Sequence, residues 1–293
     1  MSLIDPRTKR EELREIAIQE RIRARIERRF FRKYQKEINR MGRVSGEQFA
    51  KTNDSGSLDL LLVEHKQNLD KILKLEYSVT IAATSKYAIA SSPKSMTIGR
   101  ETKDITGLIE SILQQWITTN AATRATKISN TTMIKIREVI ANGIGEGAGA
   151  REIGKAINRR VKSISRSRGI MIARTESHSA MQNTLLETVN EMSTFPVLKK
   201  WVATEDERTR ETHRAVDGIT IPKDQKFAVG DASLAYPGDQ NSGSAKEVIQ
   251  CRCGLVFKPQ VGLGKAAKRN NGRSSKIGLG QTPCQLLSKN VRN

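Results

Sequence analysis

At 293 residues the chain can hold one large or two modest domains, and its 37% hydrophobic and 4% aromatic content favours helices, exposed segments and a small core. No run approaches the roughly eighteen apolar residues of a membrane span, and the opening MSLIDPRTKR lacks a signal-peptide core, so a cytoplasm-like compartment without a membrane partner is expected. The formal net charge of +20 sits almost wholly in three short segments: residues 1–43 (fourteen basic, seven acidic), 151–168 (seven basic, one acidic) and 254–293 (eight basic, none acidic). Basic segments around a near-neutral body suit phosphate binding by counterion release, or docking on an acidic protein surface. Arg21, Arg25, Arg28, Arg29, Arg159, Arg160, Lys268 and Arg269 are the candidate contacts.

In chain order, Asp5-Pro6 predicts a helix start, with an N-cap acceptor followed by proline at the first helical position. Ile18, Ile22, Ile26, Phe30, Tyr34 and Ile38 then recur every four residues. A four-residue step drifts by about 40° on an ideal helix, so this stripe wraps around its axis. Met41-Gly42 is expected to stop the helix, and 44–57 to form a loop. A second amphipathic helix runs from Leu58 through His65, Leu69, Leu73 and Tyr77 to Ile81, with His65 expected as a packed histidine. Ile105–Ile117 predicts a third helix and Met133–Ile140 a fourth. The glycines at 143, 145, 147 and 149 predict a helix end and tight turn, since the P-loop spacing is missing. A short basic helix is expected over 151–162 and a longer one from Ser167.

After Pro196 the texture changes. VLKKWVAT is strand-like, DERTRETHRAVDG predicts a turn, a short helix and a glycine turn, ITIP is extended, and QCRCGLVF is a second strand-like run. The fold class expected is α+β: a mainly helical N-terminal region, then a small α+β module with a few short strands, flanked by basic arms. The expected divisions are a basic amphipathic helical arm over 1–43, a helical region over 44–109, the module over 110–258 and a Gly/Lys-rich basic tail over 259–293.

Three segments in order carry a resemblance. Arg174-Thr175-Glu176 lies in a helix, Asp206, Arg208, Arg210, His213 and Gly218 form a D-x-R-x-R-x-x-H-x-x-x-x-G run, and Pro237-Gly238-Asp239 leads to Cys251-Arg252-Cys253. Over roughly 110–257 the chain resembles the Mu F-like phage head morphogenesis family. It departs from that pattern at Gln250, where Asn is usual, and at the positions where many members carry a Cys-x-x-Cys pair and a later His; Arg210 and His213 occupy the first pair's positions.

Cys251 and Cys253 are too close for an ordinary disulfide, which leaves reduced thiols or metal ligands. His213, Cys251 and Cys253 permit a zinc ion without requiring one, with His178 or Glu176 as a fourth ligand. The alternative is two buried thiols flanking an arginine paired with Glu176 or Asp206. Arg174, Glu176, Asp206, Arg208, Gly218, Pro237, Gly238, Asp239 and Arg252 are expected to form a structural network closing a small core.

The resemblance implies a non-enzymatic minor capsid protein in the virion interior, made in the host cytoplasm. It would associate with the portal or major capsid protein and contact packaged double-stranded DNA non-specifically. Two other readings compete. REIGKAINRRVKSISRSRGIMIAR can be divided into helix, turn and recognition helix of a sequence-specific DNA-binding protein. Glu205-Asp206-Glu207 imitates the Glu-x-Glu pair of ADP-ribosyltransferase toxins, which are sometimes fused to this family, although it falls inside the Asp-x-Arg run and no separate catalytic domain follows residue 259.

Overall fold

A computed structural model describes residues 9–92, 102–204, 206–241 and 244–260. Its architecture is α+β, with a helical N-terminal region and a small C-terminal module of short antiparallel strands. Four long helices come first: α1 (Lys9–Thr52), α2 (Asp59–Ser91), α3 (Thr102–Gly145) and α4 (Ala150–Met192). The module adds β1 (Val197–Val202), α5 (Glu211–Ala215), β2 (Thr220–Pro222), β3 (Phe227–Val229), β4 (Ala232–Leu234), α6 (Ala245–Val248) and β5 (Gly254–Pro259). The Asp5-Pro6 start and the tail bearing Lys268 and Arg269 lie outside the described residues.

Helix α1 packs antiparallel along α4. Gly46 meets Gly154, Glu27 meets Arg174 and Gln19 meets Gln182. The segment expected as a separate arm is therefore built into the body. Met41-Gly42 does not end it. Gly42 is needed for close approach, because a Cβ there would lie 2.7 Å from Val161 Cβ. One turn on, a Cβ at Gly46 would come within 2.3 Å of the Gly154 carbonyl oxygen, so the two backbones meet at a point only glycine allows. The helix ends instead at Asn53, whose φ of 51° is left-handed, and Asp54 then caps the next turn by accepting from the Gly56 and Ser57 N–H groups. The drifting stripe has the consequence its period implies: Ile26, Phe30, Tyr34 and Ile38 are buried, whereas Ile18 has rotated into solvent.

The expected third and fourth helices are one, α3. Between them lies TTNAATRATKISNTT, rich in Thr, Ser and Asn, which are weak helix formers. Its polar side chains bond back to the carbonyl four residues earlier, as Thr118 does to Gln114, Asn120 to Trp116, Thr126 to Ala122 and Thr132 to Ile128. These four are thereby satisfied inside the helix rather than competing with it. Helix α4 is likewise continuous where a helix–turn–helix reading requires a turn, and Ile172 and Ala173 of the supposed recognition helix are buried. The glycine segment makes the α3–α4 corner: Ala148 N–H bonds the Gly143 carbonyl, Gly147 takes φ 71°, and Glu152 accepts from the Gly149 N–H.

The helices enclose a core of Phe30, Tyr34, Ile38, Leu69, Leu73, Tyr77, Ile109, Leu113, Ile136, Ile157 and Val161. His65 is fully buried there, with Nδ1 2.9 Å from Glu37 Oε1. In the module the strand order is β2-β1-β5, antiparallel throughout, with Lys199 opposite both Ile221 and Phe257. The β3–β4 hairpin, absent from the sequence reading, turns at Gly230 with φ 55°. A second core of Trp201, Phe227, Val229, Leu234, Tyr236, Val248 and Leu255 joins hairpin to sheet.

At Leu255 the outer edge of β5 is capped by side chains. Gln182 Oε1 accepts from the Leu255 N–H at 3.0 Å, and Gln19 Nε2 donates to the Leu255 carbonyl at 3.0 Å. The two amides also bond each other at 3.1 Å. Nearby, buried Glu12 accepts from Lys200 on β1 at 2.8 Å and lies 3.0 Å from Lys258 on β5.

Candidate functional site

Arg174, Thr175 and Glu176 are consecutive on α4 and point three ways, as a helix's 100° step requires. Arg174 pairs with Glu27 of α1, its guanidinium 3.2 Å away. Thr175 Oγ1 accepts from the Gln250 N–H at 3.1 Å. Glu176 Oε2 accepts from Tyr77 Oη of α2 at 2.6 Å and Gln240 Nε2 at 2.9 Å, with Arg124 of α3 3.9 Å from its other oxygen. Burial first, and then the Glu176 charge, pushes the Tyr77 hydroxyl well above its usual range, so it stays a donor. The motif is a junction between α1, α2, α3 and the module.

Arg252 does not meet Glu176. Its guanidinium forks onto both oxygens of Asp206, and that pairing holds the Asp206 carboxyl far below the usual carboxylate range. Asp206 Oδ1 also accepts from the Arg208 N–H at 3.0 Å, while the exposed Arg208 side chain stays outside the network. Thr204 Oγ1 closes the loop by donating to the Arg252 carbonyl at 3.1 Å. The separation is geometric, because Glu176 is already held on the α2–α3 side of α4.

Cys251, Arg252 and Cys253 lie in the turn before β5, not in a strand as expected. Gln250 takes φ 57°, a conformation that Asn tolerates better than Gln and that turns the chain out of the extended form. In this turn both thiols face inward onto His213 of α5, with Nδ1 3.3 Å from Cys253 Sγ and 3.7 Å from Cys251 Sγ. All three are buried, and their ligand atoms lie within 4.8 Å of one another. On the far side His213 Nε2 lies 3.2 Å from Glu247 Oε2, off line for a full hydrogen bond, and Thr212 donates to that same oxygen at 2.7 Å. Trp201 stands edge-on to the imidazole, ring centroids 5.5 Å apart. A hydrogen bond from Cys251, with help from His213 and Trp201, pulls the Cys253 thiol below its usual range, while burial pushes that of Cys251 up. The donor set and spacing fit a borderline-soft metal ion.

Glu176, named as a fourth ligand, is engaged elsewhere. His178 is buried beside the cluster but outside it, its ring against Gly238, where a Cβ would lie 2.8 Å from Cδ2. Neither ring nitrogen finds a hydrogen-bond partner among the described residues, and burial holds the imidazole well below its usual range, so it is neutral. Gly238 takes φ 81° in the turn that Asp239 braces by accepting from the Ala235 and Asn241 N–H groups; Pro237 precedes it. Gly218, at φ 79°, returns the chain to the Trp201 carbonyl. Gln19, Gln182, Glu12 and Glu247 complete the site and were missed, since an isolated Gln or Glu in a helix carries no sequence signal of what it caps.

Among the basic candidates, Arg21, Arg25, Arg28, Arg159 and Arg160 are exposed. Arg29 turns inward instead, joining Lys33 on the buried carboxylate of Glu76 at 3.1 and 2.9 Å. A buried carboxylate requires such partners. Along the outer face of α1, Arg14, Arg21, Arg25, Arg28, Arg32 and Lys36 form an exposed line without an ion pair to another described residue.

Residues 134–256 match the family described as phage Mu protein F like protein. Among curated proteins the chain is 33% identical over 119 residues to the NAD(+)–arginine ADP-ribosyltransferase EFV of Enterococcus faecalis, covering 40% of this chain and 24% of that protein. It is 30% identical over 128 residues to the minor head protein GP7 of Bacillus phage SPP1, covering 42% of this chain and 39% of GP7. The chain thus spans about a quarter and about two fifths of these relatives' lengths. No solved structure matches.

Proposed function

We propose, from the match of residues 134–256 to the phage Mu F-like family, that the chain is a minor head protein of the virion interior. In this role it docks on the portal or major capsid protein and touches packaged double-stranded DNA without reading its sequence. The observation that carries the head role is the match over 134–256, together with the similarity to a minor head protein.

The line of cations on α1 that pair with no other described residue supports the DNA contact. From Arg14 to Lys36 it runs about 33 Å at the helical rise, close to one turn of duplex. Side chains spaced in this way on a rigid rod suit phosphates rather than base edges. We assign no transferase activity to the chain. The similarity to the ADP-ribosyltransferase covers a quarter of that enzyme, and Asp206, at the centre of the Glu-Asp-Glu triple, is held by Arg252.

Purified heads probed with an antibody to this chain, and copurification with portal and major capsid proteins, test the head role; absence from heads refutes it. For DNA, duplexes of unrelated sequence should bind alike, with a log–log salt slope near about −5 if roughly six phosphates are engaged. Replacing Arg21, Arg25, Arg28 and Arg32 by Ala should flatten that slope. A salt-independent affinity, or preference for one short sequence, speaks against the contact. Transfer of label from NAD to an arginine mimic would overturn the non-enzymatic reading.

A further inference from the structure

The Cys251–Cys253–His213 cluster is not needed to explain a DNA or capsid contact, yet it has the form of a ligand set. A zinc ion bound at about 2.3 Å to sulfur and about 2.05 Å to nitrogen, with tetrahedral angles, separates S from N by about 3.5 Å. His213 Nδ1 lies 3.3 and 3.7 Å from the two sulfurs, so two edges of one face of such a tetrahedron already have about the right length, and all three donors lie within 4.8 Å of one another. The backbone sets this up before any ion arrives. Left-handed Gln250, tied to Thr175 through its N–H, folds the turn so that residues two apart present both sulfurs to the same point.

The surroundings are those of a ligating histidine. A metal on Nδ1 leaves the ring proton on Nε2, which lies 3.2 Å from the Glu247 carboxylate and needs only a small turn of the ring to come into line with it. Glu247 is itself buried and oriented by Thr212. Carboxylate, imidazole and metal in series is the usual way a protein fixes the tautomer and aim of a ligating histidine. Two thiolates and one imidazole favour zinc over the hard cations that prefer oxygen.

We propose that Cys251, Cys253 and His213 bind one zinc ion, with water in the fourth position, and that the ion staples the turn before β5 to α5. Three side-chain donors meet among the described residues, and His178, packed on Gly238, stays outside the set. The staple joins residues 38 and 40 positions apart across a module whose strands are at most six residues long.

The test uses the full chain, stripped with chelator under reducing conditions and titrated with cobalt(II) and then zinc. The expected result is intense visible bands from tetrahedral cobalt, a near-ultraviolet thiolate-to-cobalt band, and displacement of both by about one equivalent of zinc. Cys251→Ser and Cys253→Ser should each abolish or shift these bands, whereas His178→Gln and replacement of the third cysteine of the sequence, Cys284→Ser, leave them unchanged. Should the cysteine variants fail to fold, Glu247→Gln decides: it removes only the outer partner and should weaken zinc binding by about 10- to 100-fold with the helical circular dichroism intact. Wild-type chain that is folded but gives no cobalt bands overturns the site. Loss of the bands on Cys284→Ser or His178→Gln overturns the ligand set.

Discussion

The four-helix body and the C-terminal module are held together in different ways. In the body, long helices bury Ile, Leu and aromatic side chains along shared faces, and two glycines let α1 and α4 touch backbone to backbone. In the module no strand exceeds six residues, and the shape comes from turns held by particular side chains: Asp206, Thr209, Asp239, Arg252 and the glutamines on Leu255. A helix distributes its stability over many interchangeable contacts, while a turn concentrates it in a few groups that act as a unit. Substitutions should therefore be absorbed or felt according to region, except where the body too depends on one contact.

The largest effect tests that exception. Gly46→Ala forces a Cβ into the Gly154 carbonyl, and the helices must separate; a loss of about 3 kcal/mol is expected from overpacking that backbone cannot relieve. Thermal unfolding checks this, and a variant as stable as wild type would show that the crossing is loose. Next, Glu176→Ala leaves the Tyr77 hydroxyl buried without its acceptor and releases Gln240; about 2 kcal/mol should be lost. Urea denaturation of Glu176→Ala, Tyr77→Phe and the double variant should show strong non-additivity, since junction and body share that bond.

A third effect is read from pH. Lys199 is buried in the sheet, donating to the Ala235 carbonyl at 2.8 Å, and burial lowers its ammonium to about 8. In the unfolded chain it returns to about 10.4, so between these values the unfolded state holds more protons and stability rises with pH. Denaturation midpoints measured from pH 7.5 to 10.5 should climb, and Lys199→Met should remove this part of the slope. The smallest effect concerns a single turn. Gln250→Asn places the better left-handed residue at φ 57° and should gain about 0.5 kcal/mol, visible as a small upward shift in melting temperature. A loss there would mean that the Gln side chain makes a compensating contact.

What was legible in the sequence divides along the same line. Periodicity located the buried faces of α1, α2 and α3, because a stripe of Ile, Leu and Tyr is a direct record of packing. It misplaced helix ends wherever one residue type serves two purposes. Gly42 looks like a stop and is a contact; the threonines of 118–132 look like a break and bond back into their own helix. In the site, motif spacing pointed to the right residues but not to their partners. Asp206 and Glu176 are equally acidic on paper, and only the path of α4 shows that Glu176 faces Tyr77 while Asp206 reaches Arg252. Cys-Arg-Cys, flanked by Ile and Leu, suggests a strand; the left-handed Gln250 that makes it a turn has no apolar signature. Gln19 was unreadable, because its partner is a backbone 236 residues away.

That last distance bears on how the protein is made. Synthesis runs from the N-terminus, so α1 leaves the ribosome long before α4 and β5 exist. Helix α4 brings the mates of Tyr34 and Glu27, and the Leu255 groups that Gln19 serves come only with β5. The N-terminal part of α1 is thus seated only once β5 has been made, although the rest of the helix already has its mate in α4. A nascent or truncated product lacking β5 would leave Ile16 and Gln19 exposed beside α4, whereas with β5 in place they meet Val256 and the capped backbone of Leu255.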